Sequence, residues 1–209
     1  MKSRVRNGRD FIYYTIKYSK VVHREDGPAV IKPNGDKEWW RYGKLHREGA
    51  PAVTKSDGSE EWFFKGVRHR LGAPARIYPG EREEWWVNGN RHRVGGPAVI
   101  YTDFSQEWWE NGVRHRVDGP AVEYENGTKF WYLNGDLHRL DGPARIYENK
   151  REEWWVNGKR HRVDGPAVIY PGGKIAWGFN GVRLSKEEWF DLLTPEQQQA
   201  MLFSEYFIK

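Results

Sequence analysis

Seven histidines are all that the chain contains, and each follows the last by 23 residues: His23, His46, His69, His92, His115, His138 and His161. No other feature constrains the fold as tightly. Five residues after each histidine stands a proline, from Pro28 to Pro166, and sixteen residues after each a tryptophan, from Trp39 to Trp177. A glycine precedes each following register point by three residues, from Gly43 to Gly181. A fixed period of this size specifies a repeat array, in which a unit contacts mainly its neighbours.

Two turn signals recur in every period. Asn88-Gly89, Asn111-Gly112, Asn134-Gly135, Asn157-Gly158 and Asn180-Gly181 follow the tryptophan strand. Asn-Gly suits a type I′ hairpin turn, which needs positive φ at both central residues. A second turn, as at Pro33-Asn34-Gly35 or Pro171-Gly172-Gly173, follows the Pro-Ala-Val-Ile stretch. Asp-Gly-Pro ahead of that stretch reads as a bulge or kink, because proline has no N–H to give a ladder. The expected fold is mainly β: an elongated, single-layer antiparallel hairpin array of about seven repeats over residues 23–184, two strands to a repeat. Residues 1–22 read as a frayed basic start and then a degenerate leading unit, with Phe11–Tyr18 as its strand. After Gly181 the period breaks. Ser185 with Glu188, and Thr194-Pro195 with Gln197, are helix-start signals, so residues 185–209 read as a two-helix cap. Trp189, Leu192 and Leu193 form one apolar stripe there, and Leu202, Phe203, Tyr206 and Phe207 another.

Counting outward from a two-residue Asn-Gly loop sets the register. Trp85 then faces His92, and Glu84 faces Arg93, with equivalents in the other repeats (Glu38–Arg47, Glu61–Arg70, Glu107–Arg116, Glu153–Arg162). These Glu–Arg pairs read as exposed, worth about 0–1 kcal/mol each. A third pair on the same face varies: Trp40–Leu45, Phe63–Arg68, Trp86–Arg91, Trp109–Arg114, Tyr132–Leu137 and Trp155–Arg160. Rings flanked by guanidinium groups either satisfy one another or stack on a ligand. Trp40, Phe63, Arg68, Trp86, Arg91, Trp109, Arg114, Trp155 and Arg160 are therefore the candidate partner-binding residues.

Metal binding and catalysis both fit poorly. Successive histidines fall ~9–10 Å apart along a ribbon, too far for two ligands of one zinc. They are expected to pack on tryptophan and bond the turns. Every titratable position belongs to a repeated surface, whereas catalysis needs one asymmetric constellation. The expectation is a non-enzyme with no cofactor, no metal site and no small-molecule substrate. Twelve tryptophans, 11 tyrosines and 9 phenylalanines suit a thin sheet whose rings cover surface. The chain has no cysteine, no apolar leader after Met1 and no apolar run near the ~20 residues of a membrane span, which points to the cytoplasm. A net charge of +5 permits an anionic partner without requiring one.

Trp-x-Asn-Gly-x-x-His at a 23-residue period resembles the MORN repeat, over residues 23–181. The resemblance implies hairpin ribbons that serve as scaffolds, protein-binding modules or adaptors at acidic lipid. The usual His-Gly is His-Arg here, and Asp-Gly-Pro-Ala replaces a plainer turn, as in repeats of phage, giant-virus and bacterial proteins. The implied function is binding or sequestering a protein partner, in the manner of a phage- or virus-type inhibitor of a host protein. The alternative is a binder of acidic lipid headgroups or nucleic acid through the Arg/aromatic face. Self-association through the C-terminal helices or the N-terminal edge strand is the remaining partner reading.

Overall fold

The computed structural model describes residues 2–5, 12–16 and 19–202. The chain is mainly β, an antiparallel hairpin repeat array that ends in two short helices, α1 (Lys186–Asp191) and α2 (Pro195–Leu202). It divides into two compact units. The first runs to Phe104 and includes Trp108–Gly112; the second holds Ser105–Glu107 and the chain from Val113 onward.

Each repeat makes two hairpins. In the first unit, Arg76–Tyr78 pairs with Arg82–Glu84 as one hairpin. Its two outer edges pair with Glu60–Glu61 of the repeat before and Val99–Tyr101 of the repeat after. Hairpins of this kind add, strand by strand, into a long antiparallel sheet. The second unit repeats the pattern, with Lys129–Phe130 lying between Val122–Glu123 and Arg145–Ile146. The other hairpin, Trp86–Val87 with Asn90–Arg91, is a separate two-stranded ribbon.

The chain passes from one to the other at the repeated tryptophan. Trp85 N–H donates to the Ala98 carbonyl at 2.8 Å, a bond of the long sheet, while its own carbonyl accepts from His92 N–H at 3.1 Å, a bond of the small hairpin. Trp62, Trp131 and Trp154 do the same with Ala75, Ala144 and Ala167. Those alanines are fully buried. Where the two hairpins close on each other only a methyl group has room.

The small hairpins turn as their sequence demands, with φ of 49° at Asn88 and 83° at Gly89. Tyr42 and Lys65 take the same positive φ without asparagine. Consecutive small hairpins are tied by two bonds. Gly89 N–H donates to the Arg68 carbonyl at 2.9 Å, and Asn88 N–H to His69 Nδ1 at 3.0 Å. The second unit has the same pair, from Gly135 to Arg114 and from Asn134 to His115. Histidine is thus the acceptor that holds the next turn in place.

The expected register holds for the small hairpins and fails one residue beyond the tryptophan. Phe63 faces Arg68, Trp86 faces Arg91 and Trp155 faces Arg160. Glu84, however, does not face Arg93; it lies in the long sheet between Arg76 and Val99. Glu38, Glu61, Glu107 and Glu153 likewise face residues of the long sheet, Val53 opposite both Glu38 and Glu61, Val122 opposite Glu107, Val168 opposite Glu153. The basic start is also more ordered than expected: Lys2–Val5 is a strand paired with Ile12–Thr15. Phe11, Lys17, Tyr18 and the stripe residues Phe203, Tyr206 and Phe207 lie outside the described residues. Tyr14 stands in the tryptophan's place, donating to the Ala29 carbonyl and accepting from His23 N–H, both at 2.9 Å.

Both helix starts are capping boxes, Ser185 with Glu188 and Thr194 with Gln197. Trp189, Leu193 and Met201 are buried with Trp177 in one cluster, against which Val163, Phe179, Leu184 and Phe190 pack. Leu192, expected on the same stripe, is exposed at the end of α1.

Candidate functional site

The row of glutamates that leaves the small hairpins is the interior of the array. Glu84 and Glu153 have no exposed surface, and Glu61 and Glu107 are nearly as buried. A carboxylate survives such burial only when cations and N–H donors surround it. Trp86 Nε1–H donates to Glu84 at 2.9 Å, Arg82 Nε at 2.7 Å, and Arg91 Nη2 stands at 3.5 Å. Glu153 takes Trp155 Nε1–H at 2.9 Å, with Arg151 in contact and Arg160 at 3.7 Å. Glu38 takes Trp40 Nε1–H and Lys32, Glu61 takes Arg68 and Lys55, and Glu107 takes Arg114. Burial pushes the Glu84 carboxyl up, but the Arg82 hydrogen bond, the Arg91 charge and the Trp86 N–H outweigh it and hold it below the usual carboxylate value.

The nine candidate partner-binding residues are all part of this system. Trp40, Phe63, Arg68, Trp86, Arg91, Trp109, Arg114, Trp155 and Arg160 are each half-buried. In the first unit guanidiniums and rings alternate: Arg68 lies 5.0 Å from Phe63 and 4.8 Å from Trp86, and Arg91 lies 5.2 Å from Trp86 and 5.1 Å from Trp109. In the second, Arg160 lies 5.1 Å from Trp155, and Arg114 lies 5.6 Å from Tyr132. The ladder read from the sequence exists, and its polar groups are turned inward onto glutamates.

A different surface lies along the His-Arg-x-Asp-Gly-Pro loops. The loop arginine covers the tryptophan ring, Arg93 on Trp85 at 3.9 Å and Arg139 on Trp131 at 4.1 Å. Its Nη1 donates to the carbonyl of the loop proline, Pro97 at 3.0 Å and Pro143 at 3.3 Å. Glycine is needed there for closeness: a Cβ on Gly142 would stand 3.0 Å from the Arg139 guanidinium carbon. Asp-Gly-Pro-Ala is thus an arginine cradle. The hydrogen bond and charge of Arg139 keep the Asp141 carboxyl below its ordinary value.

The loop's variable residue points to solvent. Leu71 and Val94 in the first unit are 73% and 82% exposed, and Val117 and Leu140 in the second 82% and 79%. In the second unit the loops at Arg116–Pro120 and Arg139–Asp141 flank a groove of about 640 Å³ floored by Trp131 and Leu133. The corresponding groove at the start of the array, about 530 Å³, is lined by Glu25, Arg41 and Glu48 in place of Val117, Leu133 and Leu140. Arg41 lies 3.9 Å from both glutamates. Sequence reasoning passed over this position. Its signal was an aliphatic residue in a tight polar loop, five repeats in succession from Leu71 to Val163.

Among the described residues no three His, Cys, Asp or Glu side chains stand where they could hold a metal ion, and no helix is long and apolar enough to cross a membrane. No family model matches the chain, and no curated protein does.

Proposed function

We propose that the protein is a non-enzymatic interaction module that binds a protein partner through the loop edge of its repeats. The observation that carries this reading is the exposed aliphatic residue at one repeat position, Leu71 and Val94 in one unit and Val117 and Leu140 in the other. The fold does not ask for it, since Glu25 and Glu48 occupy the same loop position. Exposed apolar side chains gathered at one loop position of successive repeats, rather than scattered singly, support an interaction surface there. The resemblance to MORN repeats supports a scaffold or sequestering role, and a phage- or virus-type inhibitor would need no other surface. Binding of acidic lipid headgroups or nucleic acid draws on the guanidiniums of the aromatic ladder. Those already face buried glutamates, which leaves the apolar edge better supported.

The test is capture from a native lysate with the immobilised full chain, beside the variant Leu71→Glu/Val94→Glu/Val117→Glu/Leu140→Glu. A specific protein held by the wild type, lost by the variant and retained as salt rises to about 1 M supports the reading. Polyanion binding would fall steeply over that range. Capture of nucleic acid or lipid alone, or of a protein that the variant holds equally, contradicts it.

A further inference from the structure

Every histidine of the chain makes the same bond. Its Nδ1 accepts a backbone N–H from the turn of the next small hairpin, from Tyr42 on His23 to Asn180 on His161, at 3.0–3.3 Å in all seven repeats. A nitrogen that accepts carries no proton, so each ring is held as the neutral Nε2–H form. Imidazolium has a proton on both nitrogens and cannot accept. One added proton therefore removes the bond and leaves two N–H groups facing each other. None of the long-sheet strands contains a histidine.

We propose that the histidine row is an acid-sensitive latch: between neutral pH and about pH 5, protonation releases the turns of the small hairpins while the long sheet stays closed. This inference concerns the fold and stands apart from the protein-binding reading above. A free imidazole titrates near pH 6.5. The opened turn takes up the proton and the closed one refuses it, so closure is favoured above that pH and weakened below it. Where refusal is complete, opening gains about 30-fold per histidine at pH 5. Neighbouring groups grade the response. Glu25 lies 3.7 Å from His23 Nε2 and Glu48 3.4 Å from His46 Nε2, with Arg41 beside both, and these carboxylates favour an imidazolium in the closed form. Asn157 Oδ1, 2.9 Å from His138 Nδ1, accepts the new proton there. Glu110 precedes Asn111, the turn residue bonded to His92. His69 and His115 have no such relief. Neither makes an ion pair among the described residues, and Val87 and Leu133 precede the turns they hold. Nearby charges are directed elsewhere, Lys65 to Phe64, Arg70 to Trp62, Arg116 to Asp118 and Asp136 to Gly158. These two are the sensitive turns, one in each unit.

The test is amide exchange of the full ¹⁵N-labelled chain at pH 7.5 and pH 5, read as protection factors so that the intrinsic pH dependence cancels. Protection of Asn88 and Asn134 should fall at least tenfold, that of Asn157 less, and that of Ala75 and Trp131, which bond within the long sheet, should hold. Asparagine places a side-chain oxygen where Nδ1 stood and does not titrate. His69→Asn should therefore abolish the acid response at Asn88 and leave it at Asn134, and His115→Asn the reverse. Unchanged protection at Asn88 and Asn134 would overturn the proposal. So would an equal fall at Ala75 and Trp131, which is acid unfolding of the whole chain, or a response that survives the asparagine variants. Should those variants not fold, long-range ¹H–¹⁵N spectra of the wild-type imidazoles decide the matter: all seven should be Nε2–H at pH 7.5, and an Nδ1–H tautomer at His69 or His115 would contradict the latch.

Discussion

Glu84 carries no exposed surface and meets Arg82, Trp86 and Arg91 on its two oxygens. Removing one partner of such a group strands the others, at a cost of about 3–5 kcal/mol rather than the 0–1 kcal/mol of a surface pair. Glu84→Ala should therefore lower the unfolding free energy by about 3 kcal/mol or more, measured by urea denaturation. A loss within the surface-pair range would mean that the glutamate row is not interior. The same group sets a pH dependence. Its carboxyl is held below the ordinary value of about 4.3, so on acidification the unfolded chain takes up the proton first. The stabilisation is present above that value and lost as pH falls through the native one. The urea midpoint of the wild type should drop between neutral pH and about pH 3 more than that of Glu84→Gln does; parallel drops would remove Glu84 from the account of acid lability.

Turns and helix ends were legible at the scale of the element because their chemistry is local. Asn-Gly, Ser185 with Glu188 and Thr194 with Gln197 each act over two to four residues, and each does what its sequence says. The strands were legible only as far as the tryptophan. Counting outward from Asn88-Gly89 assumes that both strands continue, but Trp85 gives its N–H to Ala98 and its carbonyl to His92. Beyond it Glu84 belongs to a different sheet, and nothing within the hairpin announces that. Two turns carry a positive φ without the glycine of their repeats (Gly35, Gly58, Gly127 and Gly173): Lys150 at 68° and Phe104 at 66°. Its ring is 81% exposed, so little packing offsets a strained backbone. Phe104→Gly should stabilise by about 0.5–1 kcal/mol, the relief of positive φ less the added freedom of the unfolded glycine. A lower melting temperature for that variant would show the ring to have a structural role. The cap is the opposite case, an element fixed by one large side chain. Trp189→Ala should cost about 3–5 kcal/mol of local stability. Hydrogen exchange should quicken over Trp177–Leu184 and leave Arg145–Ile146 protected; uniform acceleration across the second unit would contradict a separable cap.

On the scale of the whole molecule, the repeat decides which side chains have freedom to vary, and the proposed binding surface is read from that freedom. The sequence pattern pointed to the aromatic ladder because rings and guanidiniums vary there between repeats. What it could not display was the glutamate beneath, which is brought under the ladder by the switch at each tryptophan. The loop position was visible as a letter and not as a surface, since Leu71 or Val117 reads as core until the arginine cradle turns it outward. A net charge of +5 on 209 residues gives little long-range attraction, so the proposed binding is expected to rest on the apolar edge. The most direct measurement is hydrogen–deuterium exchange of the full chain with and without its captured protein. Protection should appear in the loops 70–73, 93–96, 116–119 and 139–142, and the Asn-Gly turns should exchange as before. Protection centred on those turns and on Trp86, Arg91 and Trp109, with the loops unchanged, would place the binding surface on the aromatic ladder and contradict the loop edge.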